Sequence, residues 1–478
     1  MNLNLSRKSK TPLYLQVYRS LKQKILKNDL KENTRLPAVR TLADENSLNP
    51  STVVKAYEKL KEEKLIYKKV GSGSYVSSAK NIKIHEDYDD YVNDKIDSTQ
   101  MNVKNNINFA SATPSHDLFP IEDFKNAINH VLDRDGGKAF DYQNTQGYIS
   151  LRKHISDFLI TKNMNSSYKD IQIVSGAQQA IDIISKIFIN EGDNIAIETP
   201  SYSGALASFK ERKAKIHSFN ITKNGIDLDE LENFLQKDKI NFLYCMPNFQ
   251  NPTGMIMDLE SKKRLIDMSV NYDFFIVEDD CISELNYFNE DVVSLKSLDK
   301  NNKVIYIKSY SKIFMPGLRL GYMVFPKSLS TKIISTKYSS DISTSGLNQR
   351  AFDLYLKNGD YDKHINKIND LFKKRFLHTK KLIEKYSKYF EMVFIPKGGV
   401  YFWLKLKNHN FDNFIYKCRI NGVSLLPEKY FNTENKNLNN TFRISFSDTS
   451  LEQITNGFEI MKNILDDDFT EENIQPIV

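Results

Sequence analysis

The sequence predicts a multidomain chain in which a small N-terminal α+β domain of winged helix-turn-helix type precedes a much larger α/β domain. Three observations carry this. Positive charge is concentrated at one end: residues 1 to 80 hold 17 Lys+Arg against 7 Asp+Glu, and subtraction from the totals of 67 and 60 leaves 50 against 53 for the rest. Within that basic end, three stretches with helical spacing of apolar residues are followed by a glycine-bearing hairpin pattern. From residue 107 onward, short β-branched runs alternate with helical stretches, the pattern of a parallel sheet covered by helices. At 478 residues the chain is too long for one ordinary core.

Composition excludes several classes. Hydrophobic residues make up 40% of the chain, with 25 Tyr and 29 Phe, enough for a sizeable globular core. No run approaches the roughly 18 uninterrupted apolar residues of a membrane helix, and Met1 to Arg7 has no signal-peptide core. A cytoplasmic location without a membrane partner is expected. Cys245, Cys281 and Cys418 stand far apart, which argues against a disulfide framework or a zinc site. No metal is expected.

The first helix runs from Pro12 to about Lys27, with Tyr14, Val17, Tyr18, Leu21 and Ile25 on one face. A second follows the turn at Asn33-Thr34-Arg35, with Pro37 in its first turn and Val39, Leu42 and Ala43 facing inward. The third has Asn49 as N-cap, Pro50 at the first helical position, and Val53, Tyr57 and Leu60 on its buried side. Ser51, Lys55 and Lys59 lie at i, i+4 and i+8, a hydroxyl and ammonium face suited to a major groove. Leu65 to Val70, Gly71-Ser72-Gly73 and Ser74-Tyr75-Val76 form the hairpin. A dimerisation module would share this helical periodicity, and a lysine-rich solvated surface would share the charge.

The residues themselves go further. Pro12-Leu13-Tyr14-x-Gln16, Arg35-Leu36-Pro37-x-x-Arg40-x-Leu42-Ala43 and Ser51-Thr52-Val53-x-x-Ala56-Tyr57-x-x-Leu60 resemble the GntR-type DNA-binding domain, and Gly71 to Val76 resembles its wing. The resemblance implies double-stranded operator DNA as a partner. Many members carry Ser-Arg where this chain has Asn49-Pro50, so base readout is expected to fall on Arg40, Ser51, Thr52 and Lys55. Arg35 and wing lysines such as Lys69 are expected on phosphates, and Lys59 and Ser74 complete the expected DNA-binding set. This domain is assigned to residues 1–78. The polar, acidic stretch 79–106, with Glu86-Asp87-Tyr88-Asp89-Asp90, is expected to be a flexible linker.

The large domain is assigned to 107–470. Ile171 to Val174 reads as a strand running into Ser175-Gly176-Ala177-Gln178 and a helix, where the Ala177 and Gln178 amides suit an anion; an ordinary strand-to-helix turn has the same pattern. Ile195 to Ile197 leads to Tyr202, an aromatic able to stack on a flat ring or to sit in the core. Phe242 to Cys245 precedes Pro247-Asn248-Phe249-Gln250-Asn251, whose Asn251 amide is a donor. Phe274 to Val277 precedes Glu278-Asp279-Asp280, carboxylates able to pair with a ring nitrogen. Val304 to Ile307 precedes Ser309-Tyr310-Ser311-Lys312, so Lys312 sits just past a strand's carboxyl end, where open α/β sheets bind ligands. A lysine desolvated there can attack an aldehyde cofactor, with Ser309, Ser311 and Arg319 nearby for a phosphate.

Ser309-x-Ser311-Lys312 followed by Pro316-Gly317-x-Arg319-x-Gly321-Tyr322 resembles the lysine motif of fold-type I aminotransferases, and the other strand ends resemble the aminotransferase class I/II fold over roughly 107 to 470. The resemblance implies an α/β PLP-dependent transferase fold with a smaller α+β subdomain and pyridoxal 5'-phosphate as cofactor. It also implies roles: Lys312 as Schiff-base residue, Asp279 on the pyridine nitrogen, Asn251 on O3', and Tyr202 stacked on the ring. Ser309, Arg319 and the Gly176-Ala177-Gln178 turn would hold the phosphate. Tyr142 would reach the phosphate of the opposite subunit, and Arg443 in Thr441-Phe442-Arg443-Ile444-Ser445 would bind a substrate carboxylate. Two positions depart from the pattern: Cys281 stands where a tyrosine is usual, and Ala205-Leu206-Ala207 stands where regulators often have an arginine.

The two resemblances together resemble the MocR family of transcriptional regulators. They imply a PLP-dependent homodimer that senses PLP, or an amino acid or amine, by aldimine exchange at Lys312, with the aminotransferase-like domain serving sensing rather than full turnover. The alternative is a catalytically active aminotransferase with an accessory DNA-binding domain.

Overall fold

The computed structural model describes residues 1, 3, 12–26, 30–62, 65–69, 72–77, 107–433 and 438–472. The expected linker over 79–106 and Gly71 of the wing lie outside these residues. The chain divides into two compact units, Met1–Asn106 with Asp412–Gly422, and Ile107–Phe411 with Val423–Val478.

In the first unit, helices Leu13–Leu26, Val39–Glu45 and Pro50–Glu62 precede an antiparallel hairpin, Ile66–Lys69 with Gly73–Val76. Val17, Tyr18, Leu21, Leu42, Val53, Tyr57 and Leu60 are buried together, so the three amphipathic faces close on one core. Asn49 caps the third helix as its position suggests, its Oδ1 accepting from the Ser51 backbone N at 2.9 Å. The second helix starts at Val39, so Pro37 precedes it instead of lying in its first turn. The cause is pairing with the wing: Leu36 N donates to Ser74 O at 2.9 Å and Val76 N to Thr34 O at 3.0 Å, which keeps the chain extended into Ala38, whose ψ is 145°.

The second unit is built on an eight-stranded sheet in the order Ile171–Val174, Gly321–Val324, Val304–Ser309, Phe275–Asp280, Phe242–Cys245, Asn194–Thr199, Lys215–Thr222, Gly225–Ile226. The five strands from Val304–Ser309 to Lys215–Thr222 are parallel; the central ones are buried on both faces and begin as apolar runs, while Lys215–Thr222 toward the sheet edge is more polar and partly exposed. Gly321–Val324 runs against both neighbours. The sequence hid it, because those residues were read as the tail of the lysine motif. A smaller antiparallel sheet, Phe390–Met392, Tyr401–Leu406, Thr441–Ser445 and Leu426–Pro427, packs with the long helices Asp360–Lys385 and Leu451–Glu472 and forms the α+β subdomain the sequence predicted. Among the described residues no helix is long and apolar enough to cross a membrane.

Candidate cofactor and ligand site

Register gathers the chemistry at one edge of the large sheet. Asp279 pairs with Ile307, Ser309 with Gly321, and Gly321 with Val174, so the carboxyl ends of the strands bearing Asp279 and Ser309 lie beside the Ser175-Gly176 turn.

That turn makes an anion cradle. Strand Ile171–Val174 passes through Ser175-Gly176 into helix Ala177–Phe188, whose first turn has no side-chain cap. Gly176 has φ 84°, and a β-carbon there would lie 2.8 Å from an Arg319 guanidinium nitrogen. Only glycine lets the guanidinium come this close to the positive end of the helix. Arg319 Nη2 is held by donation to Ser175 O at 2.8 Å. Gly321 is needed for a related reason, since its β-carbon would meet Lys308 O at 2.6 Å and Gly176 Cα at 3.3 Å.

Tyr202 occupies the cap position of helix Ser203–Glu211, and its hydroxyl donates to Gln178 Oε1 at 3.3 Å. Gln178 Nε2 donates to Gly204 O at 2.9 Å and Ser208 Oγ at 2.8 Å, tying the aromatic turn to the cradle helix.

Asp279 is 1% exposed and lies inside strand Phe275–Asp280 rather than beyond its end. Tyr244 donates to its Oδ2 at 2.5 Å and the Cys281 thiol to its Oδ1 at 3.1 Å. Burial pushes the Asp279 pKa up, and these two donors pull the other way. A cationic ring nitrogen would find a desolvated carboxylate here, already oriented. Sequence reasoning missed Tyr244, because a tyrosine within the apolar run Phe242–Cys245 reads as core. It had also left Cys281 as a gap in the pattern, whereas the thiol faces Asp279.

Asn251 and Arg443 meet directly. Arg443 Nη1 donates to Asn251 Oδ1 at 2.7 Å, which leaves the Asn251 NH2 end as the donor toward an acceptor such as O3'. The guanidinium is 5% exposed, donates to Ala110 O, and lies 4.9 Å from the Tyr401 ring centre and 5.3 Å from that of Phe431. It is therefore a buried positive charge within reach of two aromatic rings.

Two lysines of the motif are separated by environment. Lys308 is buried, and its Nζ bonds Asp280 Oδ1 at 3.1 Å and Glu284 Oε2 at 2.5 Å. Burial pulls its pKa down, but the two carboxylates outweigh that and push it up, so Lys308 stays an ammonium and is no nucleophile. Lys312 is half-buried in the turn after strand Val304–Ser309, and Ser309 Oγ accepts from Ser311 N at 3.3 Å. Removing one member of a buried ion cluster strands the others. Lys308→Ala is therefore expected to lower unfolding stability by about 3–5 kcal/mol, read as a shift in urea midpoint.

Tyr142 is 80% exposed. Of the residues assigned to DNA, Arg35, Arg40, Ser51, Lys55 and Lys69 are exposed, while Thr52, Lys59 and Ser74 are half-buried. Ser51 Oγ donates to Asn49 Oδ1 at 2.8 Å, Lys59 Nζ lies 5.3 Å from the Tyr18 ring centre, and Lys69 Nζ lies 5.2 Å from that of Tyr75. Among the described residues no cluster of His, Cys, Asp or Glu could hold a metal ion.

The chain matches the aminotransferase class I and II family over residues 104–460 and the bacterial regulatory proteins of the gntR family over 13–76. It is 32% identical to aromatic-amino-acid aminotransferase 1 of Thermococcus litoralis, covering 74% of this chain and 86% of that protein. It is 29% identical to the HTH-type transcriptional regulator YdfD of Bacillus subtilis over 94% of this chain and 95% of the relative. Kynurenine aminotransferase of Pyrococcus horikoshii, solved with PMP, superimposes with a TM-score of 0.73 at 27% identity, covering 82% of this chain and 97% of that one.

Proposed function

The chain belongs to the aminotransferase class I and II family and carries a gntR-family domain ahead of it, as MocR transcriptional regulators do, and we propose that it couples promoter binding to ligand sensing at Lys312. The cofactor of this fold is pyridoxal phosphate, which supplies an aldehyde for an amine and a pyridine ring that accepts electrons once protonated.

The residues fit that group. The Gly176–Gln178 turn, Arg319 and Ser309 would hold its phosphate, Tyr202 its ring face, Asn251 its phenolic oxygen, and Asp279 a proton on its ring nitrogen. Lys312 would hold it covalently. An amino acid or amine ligand would compete with the Lys312 amine for the same carbon, and Arg443 would grip a ligand carboxylate bidentately. Because Arg443 already holds Asn251, a ligand carboxylate arriving there alters a group that faces the cofactor. The exposed Tyr142 suits a site completed by a second subunit, so the assembly is a homodimer; the compartment is the cytoplasm, where operator DNA is met.

What supports this reading is that the residues assigned to the cofactor follow or end neighbouring strands of one sheet, in a chain that also carries a gntR-family domain with helix Pro50–Glu62. The similarity to an aromatic-amino-acid aminotransferase favours a second reading, an active aminotransferase with an accessory DNA-binding domain. Footprinting on the promoter of its own or a neighbouring gene, beside an amino-transfer assay on the same preparation, separates them. Protection that changes with PLP or an amino acid supports the regulator; turnover without protection supports the enzyme.

Arg443→Ala is expected to weaken the response to a carboxylate-bearing ligand by about 1.5–3 kcal/mol, while the lysine-bound cofactor remains. Titration of the cofactor's visible band with an amino acid and with its decarboxylated amine reads this. The amine's curve should move much less than the amino acid's, by no more than the loss of the Arg443–Asn251 bond accounts for.

A further inference from the structure

Glu198 is 2% exposed near the end of strand Asn194–Thr199, and the roles assigned above leave it out. Its Oε1 accepts from Met246 N at 3.0 Å and from Gln250 Nε2 at 2.9 Å. The same Gln250 nitrogen donates to Pro200 O at 2.7 Å, and Gln250 Oε1 accepts from Thr253 N at 2.9 Å and Thr253 Oγ1 at 2.6 Å. Pro200 lies two residues before Tyr202, and Gln250 adjoins Asn251. The neighbouring Ser201 N donates to Phe431 O at 2.8 Å, and Phe431 lies against the Arg443 guanidinium.

An ionisable side chain is a costly way to fill a buried volume. Here one carboxyl oxygen accepts from two buried donors, the Met246 N–H and the Gln250 amide, and the second of these bridges two functional turns. We propose that Glu198 is a positioning residue of the cofactor site, acting through Gln250 to clamp the turn that carries Tyr202 to the turn that carries Asn251. This rests on the cofactor reading above. Without the clamp, ring face and phenolic-oxygen donor are no longer held at a fixed spacing, and the bound ring loses its single orientation. Burial holds the Glu198 pKa up at about 7, so glutamine is a close mimic of the neutral form and keeps the accepting oxygen.

The experiment loads full-length wild type, Glu198→Gln, Glu198→Ala and Gln250→Leu with pyridoxal phosphate. It measures cofactor affinity and the induced circular dichroism of the bound-cofactor band, with far-ultraviolet dichroism of the cofactor-free proteins as a check on folding. Wild type and Glu198→Gln should agree within about threefold in affinity and share one induced signal. Glu198→Ala and Gln250→Leu should bind about tenfold more weakly and lose most of the induced signal while still attaching cofactor at saturation. Gln250→Leu carries the test if Glu198→Ala does not fold. Unchanged affinity and signal in the folded disrupting variants overturns the proposal, as does a Glu198→Gln as impaired as Glu198→Ala. A wild type that attaches no cofactor overturns the cofactor reading itself, and the clamp with it.

Discussion

Lys312→Ala is expected to abolish covalent attachment of pyridoxal phosphate while leaving both units folded. Borohydride reduction followed by intact-mass measurement should show a cofactor adduct on the wild type and none on the variant. The reason lies in the two lysines of one segment. Lys308 is locked as an ammonium between Asp280 and Glu284, so it cannot stand in for Lys312. Folding should survive because Lys312 is half-buried and sits in a turn, and because the first unit closes its own core around Val17, Leu42, Val53 and Leu60. An adduct that persists, mapped to another lysine, rejects the assignment. A variant that loses cofactor and also unfolds is distinguished by its far-ultraviolet spectrum.

Much of this was legible before the structure, for a physical reason. Parallel strands buried on both faces must be short continuous apolar runs, so Phe242–Cys245 and the start of Val304–Ser309 stand out. In such a sheet the residues just past each run arrive at one edge, and Gly176, Tyr202, Asn251 and Lys312 each follow a strand of it. Polar groups inside strands were not legible. Asp279 reads as a strand terminator, and only the Tyr244 and Cys281 donors show how a carboxylate is accommodated within the strand. Glu198 and Gln250 are 52 residues apart, and nothing local in either predicts their bond. The late start of helix Val39–Glu45 depends on pairing with a wing strand nearly forty residues downstream, a long-range competitor that helix propensity does not register.

Binding of the full-length protein to DNA with two half-sites is expected to be about 10²- to 10⁴-fold tighter than to DNA with one. Arg35, Arg40, Lys55 and Lys69 are exposed cations of the first unit, and each phosphate they neutralise should contribute about −0.9 to the slope of log affinity against log salt. A single small module held mainly by such contacts binds weakly at physiological salt. A dimer presents two modules, so the second engages at high effective concentration. Equal affinities for one and two half-sites would remove the dimer from the account. A shallow salt slope would instead move the interface away from the recognition helix and wing.

Chemistry at Lys312 is expected to control DNA binding. The most direct measurement titrates an amino acid ligand into PLP-loaded wild type and Lys312→Ala, both bound to the two-half-site operator, while recording affinity and DNA bend. A ligand-dependent change is expected in the wild type and none in the variant. The same change in both proteins, or no change in either while the wild-type cofactor band responds to ligand, would contradict it.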